Sequence, residues 1–164
     1  MKRWLLVCVF SVCWLAFVSW GFCESVDRII ILKSKRVMLL MKGPEIIRAY
    51  RVALGWNPKG HKFMEGDGRT PEGVYQVEAK NTKSHYYKSL KISYPNERDL
   101  LEAQRMKVKP GGMIMIHGLP KNMLALGKRH RNQDWTQGCI ALTNQEIDEV
   151  WNLVEEGTTV EIYP

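Results

Sequence analysis

Cysteine and histidine are the side chains best suited to nucleophilic chemistry near neutral pH, and one of each stands out in this sequence. Cys139 lies in Asp134-Trp135-Thr136-Gln137-Gly138-Cys139-Ile140-Ala141, a turn just upstream of an expected helix. A thiolate is the reactive form of cysteine, and helix-terminal N–H groups or a neighbouring histidinium stabilise it. Gly138 permits a sharp bend, which lets consecutive backbone N–H groups converge on an oxyanion. His117 follows the apolar run 113–116 directly and precedes Gly118. A general base needs a rigid mount and a pKa near the working pH; a strand end supplies the first and imidazole the second. The blander alternatives are a cysteine packed as a small hydrophobe and a histidine hydrogen-bonded at a strand end. If His117 activates Cys139, alkylation by iodoacetamide is expected to persist well below the free-thiol pKa of about 8.5.

The other candidates carry less. His61 and His85 sit in polar stretches, and His130 lies in the basic run Lys128-Arg129-His130-Arg131. These histidines and Cys139 show no recognised ligand spacing, so no metal is expected. The basic run suits a nucleic acid, an anionic membrane or an acidic polymer, or is simply a solvated loop. Residues 119–135, between base and nucleophile, form a candidate substrate lid with Arg129, Arg131 and Trp135 as substrate contacts. A variable surface insertion is the alternative.

Positioning these residues requires a frame. Residues 28–33 and 36–41 read as a hairpin around Ser34-Lys35, closed at its far end by Lys42-Gly43-Pro44. Residues 45–54 continue as a third strand, and 55–73, rich in Gly, Pro, Asn and Asp, form a long loop. Residues 73–78 alternate with period two, and 90–94 form a strand that Pro95 stops. The spacing predicts a helix over 97–107, with Leu100, Leu101 and Ala103 as its apolar stripe. Pro110-Gly111-Gly112 breaks the chain before 113–116, a continuous apolar run suited to a buried central strand. Thr143 and Glu146 form a capping box opening a helix through Val154, with Ile147, Val150, Trp151 and Val154 on one face. Gly157 ends it, and 158–163 closes as a strand. About seven strands and two minor helices predict a mainly β fold, a sandwich or a partly open barrel.

Charge and hydropathy divide the 164 residues unevenly. Of residues 4–23, 17 are apolar; Lys2 and Arg3 precede them, and Glu24, Asp27 and Arg28 follow. This is the layout of a secretory signal, with Gly21-Phe22-Cys23 as a cleavage site. An uncleaved anchor is the alternative, since about twenty apolar residues just span a bilayer. The expected organisation is residues 1–23 as signal peptide or anchor and 24–164 as one domain. Three of the four cysteines (Cys8, Cys13, Cys23) fall in the leader, leaving Cys139 as the body's one thiol. That excludes an internal disulfide framework and a multi-cysteine zinc site, and argues against a redox protein, which needs a resolving thiol. Export also makes nucleic acid the least expected partner.

Met115-Ile116-His117-Gly118 followed by Thr136-Gln137-Gly138-Cys139-Ile140 resembles the active-site signature of YkuD-type L,D-transpeptidases. Gly66-Asp67-Gly68-Arg69-Thr70-Pro71-Glu72-Gly73-Val74-Tyr75 resembles the family's second landmark, which leads into a core strand. The resemblance covers residues 28–163. It implies a monomeric enzyme of bacterial cell-wall biogenesis in the periplasm or envelope, with no cofactor. By that resemblance, Cys139 would attack the carbonyl of the L-centre of diaminopimelate at position three of a peptidoglycan stem peptide. A terminal D-amino acid would leave, and a thioester would remain. His117 would take the thiol proton and later activate the acceptor amine, with the Gly118 carbonyl holding the imidazole. N–H groups of Gly138 and Cys139 would hold the oxyanion, and Trp135, Thr136, Gln137 and Arg131 would meet the substrate.

The acceptor decides the outcome: a second stem gives a 3-3 cross-link, a lipoprotein lysine an anchor, and water hydrolysis. Gln137 stands where many members have histidine, and Ala141 and Leu142 where Arg or Asn is common. Eighteen residues separate His117 from Thr136, a longer loop than usual. These departures resemble the branch that includes an amidase releasing lipoprotein from peptidoglycan. A transpeptidase is the expectation. A peptidoglycan amidase or carboxypeptidase on the same scaffold and a non-catalytic wall-binding module are the alternatives.

Overall fold

Alternating apolar side chains mark the strands of this chain, and a computed structural model describes residues 25–164 of it. The apolar leader, with its proposed cleavage site, lies outside the described residues. The strands are β1 (Arg28–Leu32), β2 (Val37–Lys42), β3 (Glu45–Arg51), β4 (Gly73–Ser84), β5 (Tyr87–Ile92), β6 (Met115–His117), β7 (Ile140–Ala141) and β8 (Thr159–Tyr163). Two α-helices, α1 (Glu97–Arg105) and α2 (Asn144–Leu153), and a 3-10 segment, Lys121–Asn132, complete the fold. Period-two burial is plain in β1, where Ile29 and Ile31 are fully buried between partly exposed neighbours. Val160 and Ile162 do the same in β8.

Among the described residues, eight strands form one sheet in the order β3-β2-β1-β8-β4-β5-β6-β7. The β1–β8 and β6–β7 pairs are parallel, and the others antiparallel. The two ends of this order meet. Ala53, just past β3, exchanges two backbone hydrogen bonds with Ala141 of β7, at 3.1 and 2.8 Å. Thr136 N–H donates to Leu54 O, and Trp56 N–H to Thr136 O, extending this seam. The fold is mainly β, as expected, and this seam joins the two ends of its mixed sheet. α2 starts at the expected capping box, with Thr143 Oγ1 accepting from Glu146 N–H and the Glu146 carboxylate accepting from Thr143 N–H. It brings Ile147, Val150 and the adjoining Val154, each fully buried, into a core shared with Ile29, Leu40, Tyr75, Leu90 and Ile116. Each such side chain contributes roughly 1.5–3 kcal/mol by leaving water.

Four features depart from the sequence expectation. β4 runs six residues past Glu78, through polar residues that an apolar-alternation reading cannot see, because its outer half is exposed on most positions. β7 has only two residues, too short for any period. The 3-10 segment occupies much of what reads as a loop over 119–135. In α1 the buried residues are Asp99 and Ala103, whereas Leu100 and Leu101 are half exposed. Asp99 turns inward because its carboxylate accepts from Asn96 N–H, closes a capping box and meets His61 Nε2 at 3.2 Å.

Candidate active site

The apolar run ending in β6 delivers His117 to the sheet as a side chain only 1% exposed. Its Nδ1 lies 2.7 Å from the carbonyl oxygen of Gly118. A carbonyl oxygen can only accept, so Nδ1 carries the proton and Nε2 keeps its lone pair. Tyr86, at the tip of the β4–β5 hairpin, lies over the imidazole with ring centroids 4.3 Å apart, and Trp135 meets it edge-on at 5.9 Å. Burial pushes the His117 pKa down to about 4, against the Gly118 hydrogen bond, which raises it. The imidazole is therefore neutral at pH 7, with its basic nitrogen available.

The candidate nucleophile, Cys139, is placed by register. In the parallel β6–β7 pair, Ile116 stands opposite Ile140 and His117 opposite Ala141. Alternation then sets Met115, His117 and, one residue ahead of β7, Cys139 on the same face, with His117 and Cys139 as diagonal neighbours. The turn before Cys139 is braced by Thr136, whose Oγ1 donates to Cys139 O at 2.7 Å and accepts from Gly138 N–H at 3.1 Å. Gly138 has φ 126°, and a Cβ there would lie 2.5 Å from Arg69 O, so a side chain does not fit. Its N–H thus closes the turn instead of being presented as one of two oxyanion donors.

Cys139 Sγ approaches the carbonyl oxygen of Met113 at 3.6 Å, and Met113 is in the left-handed region with φ 55°. Burial pushes the thiol pKa up, outweighing the backbone contact at Met115 and the Lys62 charge that lower it. The resting pair is a neutral thiol and a neutral imidazole. The expected low-pKa thiolate is not the resting form, because nothing charged lies close enough to offset desolvation.

The second landmark holds this turn from the other side. Asp67 accepts from Lys62 Nζ at 2.9 Å and from the N–H groups of Phe63, Met64 and Arg69. Burial alone raises its pKa, but these donors together hold the carboxyl below its ordinary value. Thr70 Oγ1 accepts from Gly55 N–H at 3.1 Å. Buried Lys33 donates to Gly60 O, Thr70 O and Glu72 Oε1 within 2.8 Å; burial lowers its pKa despite the Glu72 partner. Asp134 accepts from Leu54 N–H through one oxygen and from Arg36 through the other. Strip 52–56 is therefore pinned between this loop and the Cys139 turn.

The expected substrate contacts separate. Gln137 is exposed next to the nucleophile, Thr136 is a buried brace, and Trp135 borders His117. Arg131 is engaged elsewhere: its guanidinium donates to Arg51 O at 2.6 Å and to Glu146 Oε1 at 3.2 Å, fastening the 3-10 segment to α2. Arg129 is exposed and reaches only Ala125 O, at 3.5 Å. Tyr86 and His130 were not legible in advance. His130 is buried and accepts from Trp135 Nε1 at 3.4 Å, so it fixes the indole beside His117. Among the described residues, no three His, Cys, Asp or Glu side chains gather to hold a metal, and no helix is long and apolar enough to cross a membrane.

A family model described as the L,D-transpeptidase catalytic domain, YkuD, matches residues 26–162. The L,D-transpeptidase candidate YafK of Escherichia coli (strain K12) is 30% identical over 129 residues, covering 73% of this chain and 45% of YafK. The helical cell shape determining protein Pgp2 of Campylobacter jejuni is similar in structure, with a TM-score of 0.63 and 25% identity over 84% of this chain and 46% of that one. An L,D-transpeptidase of Xylanimonas cellulosilytica shares the fold at a TM-score of 0.54 and 15% identity, covering 85% of this chain and 61% of that one. The chain thus spans about half the length of YafK and Pgp2.

Proposed function

This chain belongs to the YkuD L,D-transpeptidase catalytic-domain family, and from that membership we propose that it is an exported cysteine acyltransferase acting on peptidoglycan stem peptides. The observation that carries the reading is the same-face placement of Cys139 and His117, with His117 Nδ1 tied to Gly118 O. The tie leaves Nε2 as the proton acceptor and steadies the imidazolium once it forms.

The reaction starts from the neutral pair. Cys139 Sγ turns from the Met113 carbonyl and gives its proton to His117 Nε2 as sulfur bonds to the carbonyl carbon of position-three diaminopimelate. The carbonyl electrons move to oxygen, where backbone N–H donors at the turn, Cys139 N–H among them, receive the charge. When the tetrahedral species collapses, the carbon–nitrogen bond to the terminal D-amino acid breaks. His117 returns its proton to that leaving amine, and a thioester remains. An acceptor amine then attacks the thioester carbonyl and loses a proton to His117, and the proton passes to sulfur as the thiol is restored. The raised thiol pKa and the neutral imidazole keep the sulfur protonated at rest, which suits a lone cysteine in an oxidising compartment. The apolar leader, residues 1–23, serves in this reading as the export signal or anchor.

Incubation of the protein with disaccharide-tetrapeptide, read by mass spectrometry, tests this. Cross-linked dimer is expected, and Cys139→Ala should reduce it by at least about 10³-fold without lowering the melting temperature. Release of the D-amino acid with no dimer would assign water as the acceptor and overturn transfer. The absence of both product and thiol adduct with a carbapenem would make the domain a wall-binding module.

A further inference from the structure

We propose that the concavity beside the nucleophile turn, lined by Trp56, Phe63, Met64, Arg69, Met106 and Val108, is a saccharide subsite for the glycan strand that carries the stem peptide. The proposal rests on the peptidoglycan reading and adds the part of the substrate that the thiol never touches. The concavity has a volume of about 470 Å³. Large apolar side chains that would ordinarily be covered stand open along it: Trp56 is 53% exposed, Met64 and Met106 47% each, and Phe63 37%. A cluster of this kind at the edge of a reactive turn marks a contact surface.

The way Trp56 is held narrows the ligand class. One side of the indole rests on Gly68, so closely that any Cβ at that position would overlap the ring. The rest of the ring is open. The backbone beneath is fixed, with Trp56 N–H donating to Thr136 O at 3.0 Å and Asn57 N–H to Gly68 O at 3.0 Å. The platform is therefore built onto the same turn that presents Cys139. A flat, rigid ring with an open face suits the apolar C–H face of a pyranose.

Arg69 supplies the polar rim. Its guanidinium lies 5.7 Å from the Phe63 ring centroid and donates to His61 O at 3.3 Å, while its buried Nε has no hydrogen-bond partner among the described residues. The nearby Asp67 carboxylate is taken up by Lys62 and three backbone N–H groups, and Arg69 makes no ion pair among the described residues. The rim is thus positive. It complements a strand whose oxygens accept hydrogen bonds and whose attached stems end in carboxylates.

Calorimetric titration of the full chain carrying Cys139→Ala, with disaccharide-tetrapeptide and with tetrapeptide alone, tests the assignment. The sugar-bearing ligand should bind roughly five- to tenfold more tightly. Adding Trp56→Ala should remove that advantage and leave the tetrapeptide Kd unchanged, while Trp56→Tyr, which keeps an aromatic face, should retain part of it. Equal Kd values for the two ligands in the parent, or an equal loss for both in Trp56→Ala, would overturn the subsite and leave the peptidoglycan reading standing. Failure of both ligands to bind would overturn both.

Discussion

Around Asp67 the buried Lys62 and Asp67 charges meet each other and a set of backbone donors, whereas around Cys139 a partly exposed thiol and a buried imidazole face backbone carbonyls and aromatic rings. The two regions touch, through Gly138 and the Arg69 carbonyl, and both are built from titratable side chains in tight loops. Their difference lies in compensation. Lys62 and Asp67 pair through short hydrogen bonds, and Lys33 reaches Glu72 and two carbonyl oxygens, so they fix structure. Cys139 and His117 are displaced in opposite directions by desolvation, the thiol upward and the imidazole downward, so that both rest uncharged.

The largest effect should come from breaking the compensated side. Lys62→Ala strands the buried Asp67 carboxylate, and a stability loss of about 3–5 kcal/mol is expected by urea unfolding at pH 7. A loss comparable to that of an exposed lysine would mean that this region is not the brace described.

The next effect belongs to the uncompensated side. His117 titrates at about 4 in the folded chain and near 6.5 otherwise, so the unfolded chain takes up its proton first as pH falls. Its contribution is fully present above pH 6.5 and is lost between 6.5 and 4, by up to about 3 kcal/mol. His117→Gln should flatten this part of the pH–stability profile relative to the parent. Parallel profiles would show that His117 is not held neutral by burial.

The smallest effect lies where the regions join. Thr136→Val removes the hydroxyl between Cys139 O and Gly138 N–H at a stability cost of about 1–2 kcal/mol. Because the loosened turn carries Cys139, the nucleophile of the proposed reaction, kcat should fall more than KM rises. A change confined to KM would place Thr136 on the substrate instead.

Local signals carried much of the frame. The capping box at Thr143 and Glu146, the first hairpin and the apolar approach to His117 are all written in short windows, and the structure contains them. What could not be read depends on partners far along the chain. Asp99 faces inward because His61 and Tyr75 await it, and so α1 buries a carboxylate while its leucines stay out. Tyr86 reaches His117 only because β4 continues through polar residues to Ser84. His117 and Cys139 stand out by residue type and motif as candidate base and nucleophile, but the desolvation that shifts both pKa values is a tertiary property. Likewise, Arg131 reads as a substrate contact until Glu146 and Arg51 are seen to hold it.

The seam where Ala53 meets Ala141 bears on how such a molecule can change over time. The spacing of His117 and Cys139 is set by the β6–β7 register and by the strip pressed against β7, not by the length of chain that joins them. The strands act as a ruler, and the connection between Leu119 and Gln133 is released from measuring anything. Much of that stretch can be lengthened, shortened or exchanged, provided His130 still holds Trp135 and Arg131 still reaches Glu146. Chains that share this seam can therefore differ along that connection without changing how Cys139 and His117 are spaced.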